Sequence, residues 1–70
     1  MTLRDFIENA LSKNQKVRIL VGIDGNTYRF NNDITVKDLE SNTDYEMLMD
    51  MQIYHVDGDE DTKLISIYLR

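Results

Sequence analysis

The dipeptide Asp24-Gly25 constrains this chain more than any other feature. A two-residue hairpin turn of the favoured kind needs positive φ at both central positions, and Asp followed by Gly meets that need. The flanking segments agree. Lys16 to Ile23 and Asn26 to Asn31 are rich in strand formers and alternate. With the turn fixed, Ile23 faces Asn26, Val21 faces Tyr28, Ile19 faces Phe30 and Val17 faces Asn32. Val17, Ile19, Val21, Tyr28 and Phe30 then share an apolar face, expected to enter the core. Arg18, Leu20, Gly22, Thr27 and Arg29 share the other, as in a sheet with one buried side.

Before the hairpin, Leu3, Phe6, Ile7, Ala10 and Leu11 recur at three- and four-residue spacing and predict an amphipathic helix. Thr2 and Asp5 stand as an N-terminal capping box, with Met1 and Phe6 at the staple positions. Ser12 to Gln15 ends the helix, with Asn14 as a candidate left-handed cap. After the hairpin the pattern repeats in outline: Thr35 caps a short helix, Asp38 sits at its third position, and Ile34 and Leu39 form the staple. Tyr45 to Val56 reads as a strand, against a helical alternative favoured by its Met and Leu content. Met47, Met49, Met51 and Ile53 would lie on one face, and Leu48, Tyr54 and Val56 on the other. Asp57 to Asp61 forms an acidic turn, and Thr62 to Leu69 is the last strand. The expectation is one α+β domain over residues 1–70, in two layers with the order α-β-β-α-β-β. Its four-stranded, mainly antiparallel sheet carries both helices on one face.

Seventy residues suffice for one small core, and the absence of cysteine excludes disulfide staples and a Cys-built metal site. Thirteen acids against eight bases give a net charge of −5. That balance disfavours nucleic acid; it fits a solvated surface, the commoner reading for a small acidic domain, and also a protein partner with a basic surface. The longest apolar run is Ile19-Leu20-Val21, so no membrane span is expected, and an early acid at Asp5 argues against a signal peptide. A soluble cytoplasmic location follows as an expectation.

The chemistry-bearing residues are sparse. His55 is the single histidine, with Asp57 two residues on and on the same side of a strand. No cysteine nucleophile or Ser elbow accompanies it, so a packed structural histidine is the stronger reading and no enzymatic activity is expected. Asp57, Asp59, Glu60 and Asp61 form an acidic surface. Counting from Asp57, the twelfth position of a calcium loop falls on Tyr68, which is not a carboxylate, so neither a metal nor a cofactor is expected. Arg18 and Arg29 form a small candidate ligand patch. Leu48, Tyr54, Val56, Leu64 and Tyr68 would make a second apolar face in the late strands, the best interface candidate.

The Phe6-Ile7 helix, the strand Val17-Arg18-Ile19-Leu20-Val21 and the ending Lys63-Leu64-Ile65-Ser66-Ile67-Tyr68-Leu69, in a short acidic frame, resemble small proteins of phages and prophages of Gram-positive bacteria, a group without a defined biochemical activity. The resemblance implies an accessory role, in some such proteins the inhibition of a host factor. The expected function is an acidic, non-catalytic protein-interaction module. Its alternatives are a self-associating domain, as a homodimer, and a small-ligand or metal-binding domain.

Overall fold

The computed structural model describes residues 1–30 and 33–70. Helix α1 spans Leu3–Ala10. The Thr2 hydroxyl accepts the Asp5 amide at 3.2 Å, and the Asp5 carboxylate accepts the Thr2 amide at 3.4 Å, so the capping box closes as read. Leu3 and Ile7 are buried, with Phe6 and Leu11 packed beside them. Ala10 is exposed, and the helix ends into extended backbone at Leu11. Asn14 is not left-handed. The non-glycine residues with positive φ are Asp24 and Lys63 among the described residues.

Strand β1 (Lys16–Ile23) turns through Asp24 (φ 51°) and Gly25 (φ 82°) into β2 (Asn26–Arg29). The expected register holds from Ile23 opposite Asn26 through Leu20 opposite Arg29, and the Phe30 amide donates to the Ile19 carbonyl. Farther along, Val17 pairs with Ile34 of β3 (Ile34–Thr35); the expected pairing of Val17 with Asn32 lies outside the described residues. Helix α2 (Val36–Ser41) starts from Thr35, whose hydroxyl accepts the Asp38 amide at 3.2 Å, and it buries Val36 and Leu39.

The next segment departs from the expected strand. Thr43–Leu48 is a 3₁₀ helix capped by the Asn42 side chain on the Asp44 amide, and it buries Tyr45 and Leu48. Met47, expected to share a strand face with Met49, is 75% exposed, whereas Met49 is buried. Strand character begins later, in β4 (Ile53–Gly58), which pairs antiparallel with β5 (Ile65–Leu69).

Among the described residues the sheet has five strands in the order β2-β1-β5-β4, with β3 also on β1. It is mostly antiparallel, but β1 and β5 run parallel, from Val17 beside Ile65 to Val21 beside Leu69. The fold is α+β, as read; the fifth strand and the parallel pair are additions. Val17, Ile19, Ile67 and Leu69 are fully buried in the layer with Leu3, Val36 and Leu39. Each such side chain contributes about 1.5–3 kcal/mol of hydrophobic stabilisation. Tyr28 and Phe30 are 53% and 40% exposed, although their parity is the core-facing one. They sit at the outer strand, where the Phe30 ring meets that of Tyr45 edge-on at 5.2 Å.

Candidate functional site

Alternation along the two central strands gives each side of the sheet a different character. Val17, Ile19, Val21, Ile67 and Leu69 point into the core, so Arg18, Leu20, Gly22, Ser66 and Tyr68 point the other way and are all half-buried. In β4, His55 stands opposite Tyr68 and Asp57 opposite Ser66, which places both on this second side. The two helices and the 3₁₀ segment bury their apolar residues in the core cluster on the first side.

An irregularity in β4 shapes the second side. Between Ile53 and His55 the register shifts, with Tyr54 as the extra residue. Such a bulge re-aims side chains. Tyr54 therefore joins His55 on the second side: its ring lies 6.1 Å from that of Tyr68, edge-on, and His55 lies 5.1 Å from the same ring. The Arg70 guanidinium stands 5.2 Å over the Tyr54 ring, within cation–π range. The Tyr54 hydroxyl reaches over β5 to Gly22, where a Cβ would stand 3.3 Å away, so the missing side chain makes room for the phenol.

Two open hollows flank this cluster. One, of about 420 Å³, is lined by Arg18, Asp57, Asp59, Glu60, Ser66 and Tyr68. The other, of about 290 Å³, lies between the hairpin turn, Tyr54 and Arg70. Arg18 and Arg29 do share a patch, but Asp33 spans them. Arg18 donates to both Asp33 oxygens at 3.0 and 3.4 Å, and Arg29 donates at 3.1 Å. The Arg18 hydrogen bond, with the charge of Arg18 and the contact to Arg29, holds the Asp33 carboxyl below its ordinary value, against an opposing desolvation.

The five residues expected to form one interface divide. Tyr54 and Tyr68 meet on the second side, and Leu64 lines the acidic hollow beside Tyr68. Leu48 is not there: it is 4% exposed in the core, because the segment coils at three-residue spacing with Tyr45 instead of extending. Val56 is not there either. The bulge reverses parity, and Val56 pairs with Ile67 on the helix-bearing side. Gly22 and Arg70 were not singled out from sequence. Arg70 was legible as the next alternate residue after Ser66 and Tyr68.

Residues 57–61 are exposed throughout, but Asp57 and Gly58 belong to β4 and the turn begins after them; Asp59 organises it by accepting the amides of Asp61 (2.9 Å) and Thr62 (3.3 Å). Among the described residues no group of three or more His, Cys, Asp or Glu side chains is placed to hold a metal. No helix is long and apolar enough to cross a membrane. No protein-family model, curated protein or solved structure matches the chain.

Proposed function

We propose that this domain is a non-catalytic protein-interaction module that docks a basic partner through the second side of its sheet. The observation that carries the reading is the Tyr54–Tyr68–His55 cluster, standing on the side of the sheet opposite the buried core cluster. Tyrosines on a rigid strand platform supply contact area with little loss of conformational freedom and a hydrogen-bonding end.

Charge sets the partner's character. At one end of the cluster Asp57, Asp59 and Glu60 line an open hollow, while Arg18 and Arg29 are already neutralised in part by Asp33. Asp5, Glu8, Asp38, Glu40, Asp44 and Glu46 add exposed carboxylates elsewhere, and the chain carries −5 overall. A partner presenting Lys or Arg beside an apolar side chain satisfies both the acidic hollow and the tyrosines, and the net charge speeds its approach. Given the likeness to phage proteins, that partner is a host protein.

The test is affinity capture from a Gram-positive lysate with three baits: wild type, Tyr54→Asp/Tyr68→Asp, and Met47→Asp as an exposed apolar control away from the face. The reading requires a basic protein held by wild type and by Met47→Asp and lost from the double variant. Capture that survives the double variant, at unchanged circular dichroism, would show that the face is not the docking surface.

A further inference from the structure

The outer edge of β4 has a polarity of its own. β4 ends the sheet, with β5 on one side and no strand on the other among the described residues. Antiparallel ladders alternate between residues that exchange hydrogen bonds with the neighbour and residues whose N–H and C=O point away. At one end Gln52 and Arg70 exchange bonds of 3.0 and 3.3 Å, and at the other the Asp59 amide donates to Leu64 at 2.9 Å. Counting inward from Asp59, Asp57 (opposite Ser66) and His55 (opposite Tyr68) are turned toward β5. Val56 and Gly58 therefore direct their backbone N–H and C=O outward.

The start of that edge is occupied. Thr2 bridges Gln52, and the Ile53 amide donates to the Met1 carbonyl at 2.9 Å. The stretch 54–58 is left as an open template, and its midpoint is Val56. Natural edges are commonly blunted by charged side chains, above all Lys, by Pro or by bulges; here the bulge at Tyr54 lies at the start of the stretch and Asp57 is its one charged side chain. This chain has no proline, β4 has no lysine, and Tyr54 and Val56 are 42% and 40% exposed.

We infer that this edge pairs antiparallel with the same edge of a second copy, about a two-fold axis through Val56. The hydrogen-bonding parity leaves three two-fold registers, centred on Val56, Asp57 or Gly58. Centring on Asp57 sets two Asp57 carboxylates directly opposite each other. Centring on Gly58 sets Asp57 opposite Asp59 twice. Centring on Val56 sets His55 opposite Asp57 of the second copy twice, with Val56 against Val56 on the other face. Like charges directly opposite destabilise a strand pair and a donor–carboxylate pair stabilises it, so the charge pattern selects the Val56 register. His55 and Asp57 would then form the close, non-hydrogen-bonded kind of pair, with Cα atoms ~4.5 Å apart. The symmetry keeps both tyrosine clusters on one side of a continuous sheet, doubling the exposed face. The pairing stands whether or not that face binds a foreign partner.

The experiment is sedimentation equilibrium of the whole chain over a concentration series reaching about 1 mM. The variants are Val56→Lys, His55→Asp and the exchange His55→Asp/Asp57→His, each checked for wild-type circular dichroism. Wild type is expected to reach dimer mass. Val56→Lys and His55→Asp should each weaken association by about tenfold or more, and the exchange should restore it. A wild type that stays at monomer mass throughout would overturn the inference. So would single variants that associate as wild type does, or an exchange variant that fails to recover. Uptake of a foreign strand by a chain that never dimerises would likewise sink it.

Discussion

Ile19 and Leu20 are neighbours in the central strand β1, and truncating each to alanine separates the two sides of the sheet. Ile19 is fully buried beneath the helices, whereas Leu20 is half-buried on the second side. Removing a fully buried aliphatic side chain costs about 2–5 kcal/mol, the transfer loss plus the cavity left behind. A chain of 70 residues has about 3.5–10 kcal/mol in total, taking roughly 0.05–0.15 per residue. Ile19→Ala is therefore expected to remove about half of the stability. Leu20→Ala leaves no enclosed cavity and forfeits only part of a leucine's burial, about 1 kcal/mol. Urea unfolding followed by far-ultraviolet circular dichroism reads both as shifts of midpoint at constant slope. By thermal melting, Leu20→Ala should lower Tm by about 4–8 °C, and Ile19→Ala by at least twice that. Equal losses for the two variants would refute the reasoning, because they would mean that Leu20 is covered as thoroughly as Ile19.

Gly22→Val should fold, since a β-branched residue suits a strand, but its added methyl groups fall where the Tyr54 hydroxyl lies. The expected result is displaced Tyr54 ring resonances by NMR and loss of partner capture at near-wild-type Tm. Gly25→Ala places a Cβ at φ 82° with open space around it, so its cost is conformational. It should lower stability by about 1–2 kcal/mol in a urea melt. Asp33, with its carboxyl held below the ordinary value by Arg18 and Arg29, contributes stability that is complete above the unfolded-state pKa of about 3.9 and is lost as pH falls through the lower folded value. Asp33→Asn should therefore be less stable than wild type at neutral pH, and the gap should close under acid. An unchanged gap at the lowest pH would exclude the charge of Asp33 as its source.

What the sequence displays, it displays locally. The β1–β2 register follows from two residues of turn chemistry and the alternation beside them, and both helix starts follow from a Thr–Asp pair three residues apart. What it conceals is mostly non-local. The parallel pairing of β1 with β5 joins Val17 to Ile65 with no turn between them to announce it. Tyr28 and Phe30 have the correct parity, yet parity cannot say how far the helices extend over an outer strand. From Thr43 to Met51 two periods compete: Met47, Met49 and Met51 alternate as in a strand, whereas Tyr45 and Leu48, three apart, mark the 3₁₀ turn that forms around the Asn42 cap. The candidate site was half visible. Tyr54 and Tyr68 do meet, but through a bulge that sends Val56 to the opposite side, and a one-residue register shift has no signature in the alternation itself.

The most direct measurement of the central claim is site-specific photocrosslinking in living cells. Benzoylphenylalanine would replace Tyr68 in one variant and Met47 in another, followed by irradiation and denaturing electrophoresis. If the second side of the sheet is the working surface, the Tyr68 variant yields a discrete adduct with a basic foreign protein, and the Met47 variant, equally exposed to solvent or more so, does not. No adduct at position 68, or the same adducts from both positions, would contradict it.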